Sequence, residues 1–316
     1  MSRTRMTPPP QQLAMLAGNP SVLYAVPATK PDHLLNETEL RAFLTVAEDD
    51  LARNSADYDA ARAVVRFASL LGVVLRGGIY NAHMNYDAGV DFTKYAARIE
   101  IQYHLESAYG HSAIGWCYQN AFNSTTGQPL VAADSRLALT AYQTAHQLDP
   151  NCIFVLRLLG ERLCEDSVKV IGSTQTTSMV PVFGHMTNQP SSSTHQNTAV
   201  DAAQFALGVS YLVAAANASY VPAIYDLAWE YELGRGISQD PKKAHDLFLQ
   251  AAESGSANAK YQMGRIHETW HSAGHYGYYD LRAARQWYRA ARDQGYTNNN
   301  IDQKIRELSP CCCTVM

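Results

Sequence analysis

From Asp240 to Gly255 the chain reads DPKKAHDLFLQAAESG, and its apolar positions fall at Ala244, Leu247, Phe248 and Ala251. That spacing places them on one stripe of an amphipathic helix. Asp240 stands at the N-cap position, Pro241 at the first helical position, and Gly255 just beyond the end. The same pattern returns in DLRAARQWYRAARDQG, from Asp280 to Gly295, with Ala284, Trp287, Tyr288 and Ala291 in the apolar slots. A third copy runs through Asp134, Ala138, Ala141, Tyr142 and Ala145 into LDPN, and a fainter one spans Thr198–Asn217.

A different helix precedes each copy. It carries an apolar residue, then Gly or Ala, then an aromatic or apolar residue three positions on: Ile114-Gly115 with Tyr118, Leu159-Gly160 with Leu163, Leu227-Ala228 with Tyr231, and Met263-Gly264 with His267. An earlier copy at Leu71-Gly72 with Leu75 is followed by a helix expected to start near Asp91. The small residues allow two helices to approach closely and the large ones fill the space beside them. The pattern predicts five helix–turn–helix hairpins, each packed on its neighbour.

On these residues the chain resembles known repeat families. The stretch Ala223–Gly255, AIYDLAWEYELGRGISQDPKKAHDLFLQAAESG, is similar to a Sel1-like repeat, and Ala138–Asn151 resembles the second helix of a tetratricopeptide repeat. The resemblance is close over 221–296, weaker over 109–165 and faint before 109. It implies an all-α fold, a right-handed α-solenoid of about five repeats that serves as a scaffold and not as an enzyme. Gly234-Arg235-Gly236 fits the repeat's loop, whereas His271–Tyr279 replaces that loop in the last repeat.

The remaining segments take their places around the repeats, which span 57–296. Residues 1–35 contain TPPPQQ and little pattern, so a mostly disordered segment is expected. Asn36 and Glu39 form a capping box for a cap helix over 36–54. The Ser-, Thr- and Gln-rich stretch 172–197 falls between the two helices of one hairpin and reads as a flexible insertion. Asn300 is placed to cap a last short helix over 300–308, stopped by Pro310, and 309–316 form a tail.

Composition narrows the class. Apolar residues make up 47 % of 316, enough for a sizeable core, and the net charge is −4 with no dense run of Lys or Arg, against non-specific nucleic-acid binding. No stretch approaches the roughly 18 consecutive apolar residues of a membrane-spanning helix. The opening MSRTRMTPPPQQ has no apolar run, so a secretory signal is not expected, nor a disulfide framework. No cofactor is expected.

One motif points to chemistry. HETWH, His267–His271, matches H-E-x-x-H, in which two histidines one helical turn apart hold Zn²⁺ and Glu268 acts as general base. The longer pattern then needs His at 277, which is Gly277; His275 comes two positions early. By repeat alignment His267 occupies the packing slot of Tyr118 and Tyr231, and His271 falls at the loop position of Arg235. The structural reading is preferred; a zinc hydrolase centred on His267, Glu268 and His271 is the alternative, and a weak metal site using His275 is a lesser one. Cys117 in GWCY and Cys164 in ERLCED read as core or helix thiols.

The last six residues are CCCTVM. Cys313-Thr-Val-Met316 fits C-a-a-X, and Met in the final place favours farnesyl. One lipid holds a membrane only marginally, and the nearby charges cancel, so Cys311 and Cys312 are expected to take palmitoyl as the second signal. The expectation is a lipid-anchored adaptor on the cytosolic face of a membrane, binding partner proteins in the solenoid groove. The fungal chitin synthase activators combine Sel1-like repeats with such an end, and a bacterial effector using host prenylation is the other variant. Trp116, Glu161, Trp229 and Arg265 each follow the small residue of a first helix and are the expected groove contacts.

Overall fold

The computed structural model describes residues 30–123, 128, 132–171, 198–268, 280–297 and 300–308, with backbone only for 166–171 and 198–202. These residues hold twelve α-helices and no strand. In chain order they are α1 (Glu37–Arg53), α2 (Tyr58–Gly77), α3 (Tyr86–Tyr103), α4 (Ala108–Gln119), α5 (Ser135–Leu148) and α6 (Ile153–Ile171), then α7 (Thr198–Asn217), α8 (Val221–Leu233), α9 (Pro241–Glu253), α10 (Ala257–Glu268), α11 (Leu281–Asp293) and α12 (Ile301–Glu307). The insertion 172–197, the segment 269–279 with His271 and His275, the tail 309–316 with Cys311, Cys312 and Cys313, and residues 1–29 lie outside the described residues.

Local chemistry sets the helix boundaries. Asn36 and Glu39 close a capping box at the start of α1. Asp57, Asp134, Asp240 and Asp280 each accept main-chain N–H bonds in the first turn of α2, α5, α9 and α11. Gly234 ends α8 in the left-handed region, at φ 66°, where a side chain would be strained. The helix expected near Asp91 begins earlier, at Tyr86, because Asn85 accepts from Ala88 N at 3.0 Å and nucleates the first turn upstream. Asn300 stands at the N-cap of α12 in helical backbone conformation, so its side chain makes no cap bond.

The hairpins are α2–α3, α4–α5, α6–α7, α8–α9 and α10–α11, with α1 packed on α2 and α12 on α11. Their interfaces are made of a small residue on the first helix under a ring or branched side chain of the second. Gly115 lies under Tyr142 and Gly264 under Tyr288, each so close that an added Cβ would fall 2.6 Å from the ring. Both tyrosines are fully buried. One apolar cluster runs through the stack from Leu35 to Ile266, and a smaller one joins Tyr261, Ala284, Tyr288, Ile301 and Ile305 at the C-terminal end.

The stack also comes round on itself. The turn between α2 and α3 meets the turns that follow α9 and α11: Asn81 N donates to Gly255 O at 3.1 Å, and Met84 N to Gln294 O at 2.7 Å. Gln294 Nε2 reaches the carbonyls of Gly78, Ala82 and Gly255. Residues 30–35 join the fold at the same closure, with His33 Nε2 3.1 Å from Ala218 O, Tyr80 donating to His33 O at 2.6 Å, and Leu35 buried. The first hairpin thus touches the fourth and fifth.

Candidate functional site

Four first helices, α2, α4, α6 and α8, converge on the inner face of the curve. Each is apolar enough to be buried, yet three carry charge within the apolar run: Arg76 in GVVLRGG, Arg157 and Glu161 in VLRLLGER, and Asp226 and Glu230 in IYDLAWEYE. A buried charge is kept only when paired or used. Arg157 Nε donates to Asp226 Oδ2 at 2.6 Å and its Nη2 to Glu161 Oε2 at 2.9 Å, joining α6 to α8. Glu230 accepts two bonds from Arg235, at 2.6 and 3.0 Å, and Arg162 lies 3.3 Å from Glu165.

Burial shapes the protonation of this network. It pushes the Glu161 carboxyl up to about 8, against the pull of Arg157 and reinforced by Asp226. Glu230 is pushed up to about 7 by burial despite Arg235, and Asp226 is raised for the same reason despite Arg157. Burial acts on Arg157 in the opposite sense, but Asp226 and Glu161 outweigh it and hold the guanidinium charged.

Arg76 is built differently. Its Nη1 donates to Gly89 O at 3.0 Å and to Thr93 Oγ1, and its guanidinium lies over the Trp116 ring, 4.3 Å from the centroid. Burial lowers its pKa to about 10, which leaves it cationic at neutral pH. A cavity of about 40 Å³ lies between Val73, Arg76, Trp116, Asn120, Arg157 and Glu161. At roughly 10–15 Å³ per water-sized group, it holds about three such groups.

The structure brings two of the four expected groove residues, Trp116 and Glu161, to this cavity. The other two pair with each other elsewhere: the Arg265 guanidinium lies over the Trp229 ring at 5.1 Å, and Trp229, 8 % exposed, makes edge contacts with Tyr225 and Phe248. Arg76, Arg157 and Asp226 were not among the expected residues. Their signal in the sequence is a charge inside an otherwise apolar helical run.

In HETWH, His267 and Glu268 end α10. His267 packs edge-on against His245, with ring centroids 6.4 Å apart. The Glu268 carboxylate accepts from Tyr288 and Lys304, both through Oε2, the latter at 2.6 Å, which ties α10 to α11 and α12. Among the described residues no group of three or more His, Cys, Asp or Glu is arranged to hold a metal ion. Cys117, Cys152 and Cys164 are buried free thiols, and burial raises the pKa of each, Cys117 to about 12, so they stay protonated.

No curated protein matches the chain. Among solved structures it is similar to a Sel1 repeat protein from Oxalobacter formigenes, at 18 % identity and a TM-score of 0.41 over 90 % of this chain and 98 % of that one. It is also similar to a protective antigen of uropathogenic Escherichia coli displaying an SLR fold, at 17 % and 0.40 over 86 % and 49 %. An immunity protein from Pseudomonas aeruginosa is similar at 14 % and 0.36 over 89 % and 93 %. The family model described as Sel1 repeat matches residues 221–256 and 257–296, the stretches that hold the α8–α9 and α10–α11 hairpins.

Proposed function

We propose that this protein is an interaction scaffold whose inner face receives a segment of a partner polypeptide. The observation that carries this reading is the cavity between the first helices of the stacked hairpins, where Trp116 and Asn120 meet charged groups from two helices, Arg76 of α2 and Arg157 and Glu161 of α6. Aromatic and Arg side chains at the centre of a concave surface are the usual anchors of protein recognition. The Sel1 match over α8 to α11 supports the same reading.

The proposal extends to the membrane. Among the described residues no helix is long and apolar enough to cross one. Attachment in this reading comes from lipid on Cys313, with Cys311 and Cys312 as second acceptors, where Met316 is the terminal residue of the chain made in the cell.

A photo-crosslinking residue at Tyr86, on the cavity wall, tests the scaffold reading against one at Gln143, exposed on α5. The same partner should be trapped from Tyr86 and not from Gln143. Equal capture from both positions, or capture from Gln143 alone, overturns the inner-face assignment.

A further inference from the structure

We infer that the inner cavity takes one carboxylate, supplied by an acidic side chain of the partner polypeptide and held between Arg76 and Asn120 beside the Trp116 ring. This inference rests on the scaffold reading and names the chemistry of its central contact.

The argument starts from an asymmetry among the arginines of the inner face. Arg157 has two carboxylates, Arg162 has Glu165 and Arg235 has Glu230. Arg76, 7 % exposed, has none within ion-pair distance among the described residues. Its partners are a main-chain carbonyl, a hydroxyl and the face of an indole. All three are neutral. A guanidinium offers five N–H donors in a planar fork. Among the described residues only Nη1 finds an acceptor, which leaves the Nε and Nη2 hydrogens for another one at the cavity wall. An indole face favours a nearby cation but does not satisfy its N–H groups.

The rest of the cavity sets the size and charge of what fits. Asn120 spends one Nδ2 hydrogen on Trp116 O at 2.9 Å and keeps a second. A volume of about 40 Å³ matches the three heavy atoms of a carboxylate head. Phosphate brings four oxygens and up to two charges, and the far wall carries Glu161, already paired with Arg157. Arg76 supplies one positive charge and a planar fork, so a single planar monoanion is the better match. The aliphatic stem of a Glu side chain would then lie along Val73 and the Trp116 ring, and the peptide would stay outside.

The test uses the full chain labelled with ¹⁵N, and follows the Trp116 indole N–H, assigned among the 4 tryptophans by Trp116→Phe. The probes are N-acetylglutamate amide, N-acetylglutamine amide and inorganic phosphate. Capped glutamate should shift the resonance saturably, and capped glutamine should need at least about tenfold more. Arg76→Lys keeps the charge and loses the fork, and should weaken capped glutamate by about tenfold. Equal responses to glutamate and glutamine, or tighter binding of phosphate, overturn the inference from the unmodified protein alone, whether or not the variant folds. A partner trapped from Tyr86 with no preference for glutamate sinks this inference and spares the scaffold. Glutamate binding with no partner trapped at the inner face sinks the scaffold and, with it, the polypeptide source.

Discussion

Gln294 donates from its side-chain amide to the main-chain carbonyl of Ala82, 212 residues back, at 3.1 Å. The same nitrogen reaches Gly255 O at 2.7 Å and Gly78 O, and the Gln294 carbonyl oxygen accepts from Lys260 at 2.6 Å. One buried amide therefore fastens the turns of three hairpins. Gln294→Ala removes the side-chain donor shared by Ala82 O, Gly78 O and Gly255 O, of which Gly78 O keeps Ala257 N and Gly255 O keeps Asn81 N, for a loss of about 1–3 kcal/mol in urea unfolding. The Met84 amide, bonded to the Gln294 main chain, should exchange with solvent markedly faster in the variant. Unchanged exchange at Met84 would show that the closure is held elsewhere.

Gly264→Ala tests the close approach of α10 and α11. The new methyl would sit 2.6 Å from the Tyr288 ring, and Tyr288 is held by its hydroxyl to Glu268 and is fully buried. Ala in place of Gly favours a helix by up to about 1 kcal/mol, whereas overpacking a core costs about 1–3 kcal/mol. Overpacking should win, and the variant should unfold at lower denaturant concentration with the same slope. A gain in stability would mean the two helices separate freely there.

The hairpins were legible where one local solution recurs: an Asp cap, an apolar stripe, a small residue facing a larger side chain, and a glycine past the end. Asp240 to Gly255 and Asp280 to Gly295 show it most fully, and those are the segments in which the helices begin and end as the pattern predicts. The closure was not legible. Contacts such as Met84 with Gln294 depend on the summed rotation between successive hairpins, and no single residue encodes that sum. The site was half legible. Trp116 and Glu161 stood out by repeat position, but the cavity's cations come from Arg76 and Arg157, whose meaning depends on which helices converge.

The buried carboxyls predict a pH dependence of stability. Folding raises Glu161 from 4.5 to about 8 and Glu230 from 4.5 to about 7, so between these limits the folded state binds more protons than the unfolded one. The free energy of unfolding must then fall as pH rises from about 4.5 to about 8, and level off above. The groups facing Glu161 are Arg157, Arg162 and Glu165 on its own helix and Asp226 on α8. Glu161→Gln mimics the protonated form and keeps Arg157 paired with Asp226. It should flatten the upper part of the curve, above about pH 7, and leave the Glu230 part below. Denaturant titrations across this range check it; a wild-type protein whose stability rises from pH 5 to 8 would contradict the buried-carboxyl account.

The tail offers the sharpest test of the membrane reading. C-a-a-X processing begins with prenylation of the cysteine, and palmitoylation of its neighbours follows at the membrane. Each buried CH₂ contributes about 0.8 kcal/mol, so one chain gives reversible binding and two give stable anchoring. Expressed in a eukaryotic host, the protein should fractionate with membranes, and Cys313→Ser should release it to the soluble fraction. Cys311→Ser with Cys312→Ser should leave a protein that reaches membranes and washes off. Met316→Leu should shift the modification from farnesyl toward geranylgeranyl, visible in the intact mass of the C-terminal peptide. These substitutions lie beyond α12, so thermal unfolding of the solenoid should not change. A peptide recovered unmodified and still ending in Thr-Val-Met would sink the anchor, while the inner-face cross-link from Tyr86 would still decide the scaffold on its own.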